Sequence, residues 1–132
     1  MHVGIDELFD MLSWNSDEET QRKGIELAQD VKCISVFLQP HGLEHSKDVW
    51  ENCAKVLIAK TDDELLPYIG KLFVWFQDMC WPGANLIYDR LLMIPWEKIE
   101  MPLKISIKLA NKNQDKPWLT ALNAFRDTKL IE

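Results

Sequence analysis

The sequence predicts an all-α fold, a single domain in which helix pairs stack into an array. Three observations predict it. Apolar residues recur at spacings of three and four through most of the chain, which marks one face of a helix. Ser16 with Glu19 and Thr61 with Glu64 have the Ser/Thr-x-x-Glu pattern of a helix start. Pro67 and Pro102 are 35 residues apart, and so are Pro82 and Pro117. A shared period of that length belongs to the size class of helical repeats, in which each pair buries its face on its neighbours.

Each element follows from local chemistry. The first, Val3 to Leu12, places Ile5, Leu8, Phe9 and Leu12 on one side. Trp14-Asn15-Ser16 is a turn. The Ser16/Glu19 box opens a helix to about Lys32, with Ile25, Leu27, Ala28 and Val31 inward. Ile34 to Leu38 is one helical turn or an extended linker, broken by Pro40-His41-Gly42. Ser46 caps a helix to about Lys60, whose apolar face is Val49, Trp50, Cys53, Ala54, Leu57 and Ile58.

Proline inside a helix costs ~3 kcal/mol, whereas the first helical position accepts it. The Thr61/Glu64 box is therefore expected to open a short turn at 62–66. A helix starting near Pro67 then carries Ile69, Leu72, Phe73 and Phe76. A turn at Asp78–Trp81 leads to a helix opened by Pro82, with Ala84, Ile87, Tyr88 and Leu91 inward. By the same rule Pro102 opens a helix with Leu103, Ile107 and Ala110 inward. A polar turn follows at 111–116, and Pro117 opens the last helix, with Leu119, Leu122 and Phe125 inward. Asp78, Trp81, Pro82, Asp115 and Trp118 are expected to be structural residues of the turns joining these helices.

Length and composition set the bounds. A chain of 132 residues, 47% apolar with six Trp, buries roughly two-thirds of its unfolded surface, enough for its own core. No apolar run approaches the ~20 residues that cross a bilayer. The start of the chain has no basic region and turns acidic at Asp6-Glu7, so no secretory signal is expected. Cys33, Cys53 and Cys80 form neither a CxxC pair nor a disulfide framework, which fits a reducing cytoplasm.

Charge is unevenly spread. Residues 1–64 hold 14 acids and 6 bases, a net of −8, whereas 65–132 hold 7 acids and 9 bases, a net of +2. The acidic half disfavours a nucleic-acid backbone and suits a basic partner. Asp17, Glu18, Glu19, Glu26 and Asp30 are the candidate partner-binding residues. Lys104, Lys108 and Lys112 recur every four residues, extended by Lys98 and Lys116. This stripe reads as a solvated helix face. Nucleic-acid binding through it is the weaker reading, because no aromatic or Arg is interleaved.

No catalytic constellation stands out. Gly-x-Ser-x-Gly is absent, and the five glycines are too scattered for a phosphate loop. His2, His41 and His45 are the only histidines. His41 and His45 have helical spacing for a metal, but Gly42 between them argues for solvated loop residues. The carboxylate runs 17–19 and 62–64 sit at helix starts, where capping and the dipole account for them. The expectation is no enzyme activity, no cofactor and no metal. The alternative is a ligand-binding or enzymatic cleft near Trp81 and Asp78, lined by Trp75, Phe76 and Tyr88, which at helical spacing are expected to be core.

The run Leu72-Phe73-x-Trp75-Phe76-Gln77-Asp78-Met79-x-Trp81-Pro82-x-Ala84, with Asp115-Lys116-Pro117-Trp118 about one repeat later, resembles a bacterial family of small HEAT-like helical proteins of unknown function. The resemblance covers roughly residues 61–126. It implies a HEAT-like array of antiparallel helix pairs, an α-α superhelix, and supplies no catalytic residue. Cys80, where Asn is usual, and Pro117 depart from the pattern. HEAT-like folds mostly bind proteins, and small acidic helical proteins of bacteria include immunity proteins. The function expected is a non-enzymatic protein-interaction module, and by analogy with that class its specific form is an immunity protein that binds a basic toxin.

Overall fold

In the computed structural model, which describes residues 4–42 and 44–131, every regular element is helical and none is a strand. α1 (Ile5–Leu12) and α2 (Glu18–Ala28) pack on each other, and α2 leans on α3 (Lys47–Ile58). A 3-10 turn at Ile34–Phe37 bridges α2 and α3, with Ile34 and Phe37 buried. α4 (Asp62–Leu65), a 3-10 link at Leu66–Tyr68, α5 (Ile69–Val74) and a last 3-10 turn at Trp75–Gln77 run in sequence. α6 (Ala84–Leu92) packs on α3, while α7 (Trp96–Lys112) packs on α5 and on α8 (Lys116–Ile131). Val3 of the expected first helix, and His2 before it, lie outside the described residues.

One apolar core joins these helices into a single small domain. Trp50, Trp75, Phe37, Phe73, Phe76 and Phe125 are its largest fully buried side chains. Phe73, Phe76, Tyr88 and Phe125 meet with ring centroids 5.2 to 5.6 Å apart, within the range of favourable aromatic pairs. Three tryptophans also carry backbone hydrogen bonds between segments. The indole N–H of Trp50 donates to Pro40 O at 2.9 Å, that of Trp75 to Pro82 O at 2.8 Å, and that of Trp118 to Phe73 O at 2.9 Å.

Buried Asn52 and half-buried Arg90 hold the helix ends. Asn52 donates to Leu12 O and to Gln21 Oε1, both at 2.8 Å, tying α1 and α2 to α3. Arg90 donates to Ile58 O at 3.1 Å, Lys60 O at 2.9 Å and Asp62 Oδ1 at 2.7 Å, satisfying carbonyls that α3 leaves free at its end.

The helix starts correct several expectations. Asp17, not Ser16, caps α2, accepting from Thr20 N at 2.7 Å. Ser16 instead donates its hydroxyl to Asp10 O at 2.7 Å, which closes the α1–α2 turn. The helix also ends at Ala28, short of Lys32. Ser46 stands at the start of α3 without a side-chain cap, and its N–H donates to Asp48 Oδ1 at 2.8 Å. The Thr61/Glu64 capping box forms as expected. Residues 62–65 are already helical, and Pro67 lies in the 3-10 link after them.

Pro102 opens no helix: it lies inside α7. Ile99 before it and Leu103 after it are both fully buried on one face, and that packing outweighs the hydrogen bond lost to Lys98 O. The 35-residue proline spacing thus marks two kinds of place. Pro82 and Pro117 flank helix starts, whereas Pro67 and Pro102 lie within helical stretches.

Candidate functional site

The turn 78–83 is a packed joint. Asp78 Oδ1 accepts from Cys80 N at 2.8 Å, and Asp78 O from Trp81 N at 3.0 Å, so the acid shapes its own turn and leaves the indoles alone. Trp81 is half-buried with its ring 5.4 Å from that of Trp50, and Trp75 is fully buried. Asp115 has the matching task at α8, accepting from Trp118 N at 3.1 Å. Trp118 is buried near the start of a helix while Trp81 remains in a turn, so their places are similar only in sequence. Pro82 O accepts from the Trp75 indole N–H at 2.8 Å, which ties the first of these turns to the core.

The five acids expected to meet a partner lie on or beside α2 without forming one free cluster. The Thr20 backbone N–H holds the Asp17 carboxyl below the usual range. Arg22 sits between Glu19 and Glu26 and pairs with both, reaching Glu26 at 3.3 Å. Glu18 and Asp30 are exposed, with no cation within 4 Å among the described residues. Opposing charge on one helix face therefore neutralises part of the acidic surface.

A second acidic locality has more structure. A cleft of about 480 Å³ opens between α1 and the loop before α3, lined by Asp6, Phe9, Pro40, His41, Glu44 and His45. His41 stands edge-on to Trp50, ring centroids 5.2 Å apart. The expectation of a solvated His45 is corrected here. Its ring is only 20% exposed, with Nε2 2.6 Å from Asp10 Oδ1 and Nδ1 2.8 Å from Asp48 Oδ2. The hydrogen bonds to Asp10 and then Asp48 raise its pKa above the ordinary value. Burial opposes ionisation of Asp48, but hydrogen bonds from His45, Ser46 N and Ser13 together hold its carboxyl below the usual range. His45 and Asp48 are three apart at the start of α3, a readable spacing. Asp10 lies 35 residues earlier, and no local rule pairs it with them.

The third feature is the outer face of α7. Met101, Ile105 and Leu109 are spaced by four and are 64%, 53% and 44% exposed. Lys104, Lys108 and Lys112 run beside them, all exposed, and Lys104 pairs with Glu100 at 3.2 Å. α7 is thus apolar on two sides: Ile99, Leu103 and Ala110 face the core, and this stripe faces away. The spacing was legible in the sequence, but starting the helix at Pro102 left Met101 out of it.

Comparison with known proteins gives one match. A family model described as a domain of unknown function, DUF5071, matches residues 45–132. That range holds α3 to α8, the α7 stripe, the turn at Trp81 and the helix start at Trp118, but neither α1 nor α2. No curated protein and no solved structure matches the chain.

Proposed function

The chain belongs to the DUF5071 family, and we propose that it is a non-enzymatic protein-interaction module that docks an acidic amphipathic helix on α7. One observation carries this reading: the solvent-facing stripe of Met101, Ile105 and Leu109, bordered by lysines. Three large apolar side chains at helical spacing offer a partner helix a contact line. Lys104, Lys108 and Lys112 complement carboxylates along its edge. The same reading takes α3 to α8 as a HEAT-like array of paired helices in a bacterial cytoplasmic protein. The 35-residue proline spacing and the free cysteines support it.

Affinity capture with wild type and Ile105→Glu tests this, because Ile105 is exposed and the variant keeps its core. The expected result is a stoichiometric partner held by wild type, lost by I105E, and crosslinked to α7 through an acidic helix. Capture that ignores I105E, or crosslinks confined to α1 and α2, overturns it. A dimer that I105E dissolves makes the occupant a second copy and also overturns it.

A second reading rests on the exposed carboxylates of Glu18, at the start of α2, and Asp30, just past its end. These would hold a basic partner, such as the toxin of an immunity pair. Charge reversal at Glu18 and Asp30 would then abolish capture while I105E would not.

A further inference from the structure

Three metal-ligating side chains from two distant parts of the chain meet at one edge of the cleft. Asp10 projects from α1, and Glu44 and His45 come from the loop before α3. One ligand atom from each lies within 4.8 Å of the others. Behind them, Asp48 Oδ2 is 2.8 Å from His45 Nδ1, and Asp48 Oδ1 accepts from Ser46 N at 2.8 Å. A fixed carboxylate on one ring nitrogen orients the imidazole and makes the other nitrogen a better ligand, as in metal-binding histidines generally. That other nitrogen, Nε2, is the one turned toward Asp10.

We propose that Asp10, Glu44 and His45 form a binding site for a divalent transition cation, Zn²⁺ above all. One imidazole and two carboxylates are a donor set zinc accepts, with ligand bonds of about 2.0–2.2 Å. Tetrahedral ligands then sit roughly 3.3 Å apart, so the 2.6 Å contact between His45 and Asp10 must open slightly. Asp10 and Glu44 are exposed and free to turn. The metal replaces the proton shared between Nε2 and Asp10. Three protein ligands leave a fourth position for water or a ligand from the cleft, on the side of Asp6, Phe9 and His41. Mg²⁺ and Ca²⁺ prefer six or more oxygens and suit this set poorly. Asp48 is a positioning residue. The site is independent of the α7 surface, so either idea can fail alone.

Titration calorimetry of the full chain with ZnCl₂, with metal content read by mass spectrometry, tests the site. A Cys33→Ser/Cys80→Ser background removes the two exposed thiols, which could bind zinc by themselves. The expected result is one Zn²⁺ per chain, with Kd unchanged by removal of the thiols. Asp10→Asn and Glu44→Gln each weaken it on the order of 10-fold or more, and Asp48→Asn weakens it by about 10-fold through the ring. The first two alter exposed groups, and circular dichroism checks that they fold. No saturable binding below about 100 µM overturns the proposal. So does binding indifferent to D10N and E44Q, or binding that disappears with the cysteines.

Discussion

Replacing Gly83 by Ala should unseat the joint between α3 and α6, while Gly70→Ala, thirteen positions earlier, should strengthen the fold. Gly83 has φ +87°, in the left-handed region. An L side chain there costs roughly 1–2 kcal/mol. Its Cβ would also stand 2.7 Å from Ala54 Cβ and 3.0 Å from Trp50 O. Both atoms belong to the buried face of α3 and have no flexible end to move aside. Overpacking of this kind adds about 1–3 kcal/mol, so the loss for G83A is about 2–5 kcal/mol. Gly70 is exposed on α5, with nothing within 4 Å of an added Cβ. Alanine there gains roughly 0.5–1 kcal/mol of helix propensity. Urea unfolding followed by tryptophan fluorescence measures both. At this chain length each kcal/mol also moves Tm by about 3–5 °C. A G83A protein within about 1 kcal/mol of wild type would refute the steric argument, since the φ penalty alone reaches that size.

Three further outcomes follow from the same packing. Pro102→Ala should stabilise the protein by roughly 1–3 kcal/mol by restoring an N–H to α7; destabilisation in urea would mean that the proline itself is needed where α7 packs on α5. Native protein should lose two thiols to iodoacetamide, Cys33 and Cys80, with Cys53 labelled only on unfolding, because burial pushes its thiol well up and removes it from solvent; peptide mass mapping reads this directly. In chelator, the His45 contribution to stability should be fully present below pH 6.5 and should fade as pH rises through the raised folded-state value. The charged ring faces Asp10, Asp48 and Glu44, and raising its pKa means the folded state binds the proton more tightly. Urea midpoints of wild type and His45→Gln across this range should converge at high pH, and parallel curves would count against it.

Much of the architecture was legible because helix formation is local. Apolar spacing identified the inward residues of α3 and α6, including Val49, Trp50, Cys53, Ala54, Ile87 and Leu91, all buried. The Thr61/Glu64 box and the helix start at Pro117 needed only a few neighbouring residues to recognise. Pro102 was misplaced because proline is costly in isolation, and the compensation from burying Ile99 with Leu103 comes from α5 and α8, remote in sequence. Ser16 failed as a cap for a similar reason: Asp10 O and Asp17 offered two competing hydrogen bonds, and the α1–α2 turn decided between them.

The candidate sites divide along the same line. By itself the sequence determined helix content, the inward faces, the charge asymmetry and the lysine stripe, all of which depend on residue type and short spacing. Only the tertiary structure brought Asp10 to His45 across 35 residues and left Met101, Ile105 and Leu109 uncovered, whereas the pairing of Arg22 with Glu19 and Glu26, three and four residues away, follows from helical spacing. Helical period records which residues share a face. Whether that face is covered, and which charges come into contact, depends on how distant helices pack, and no local pattern encodes that.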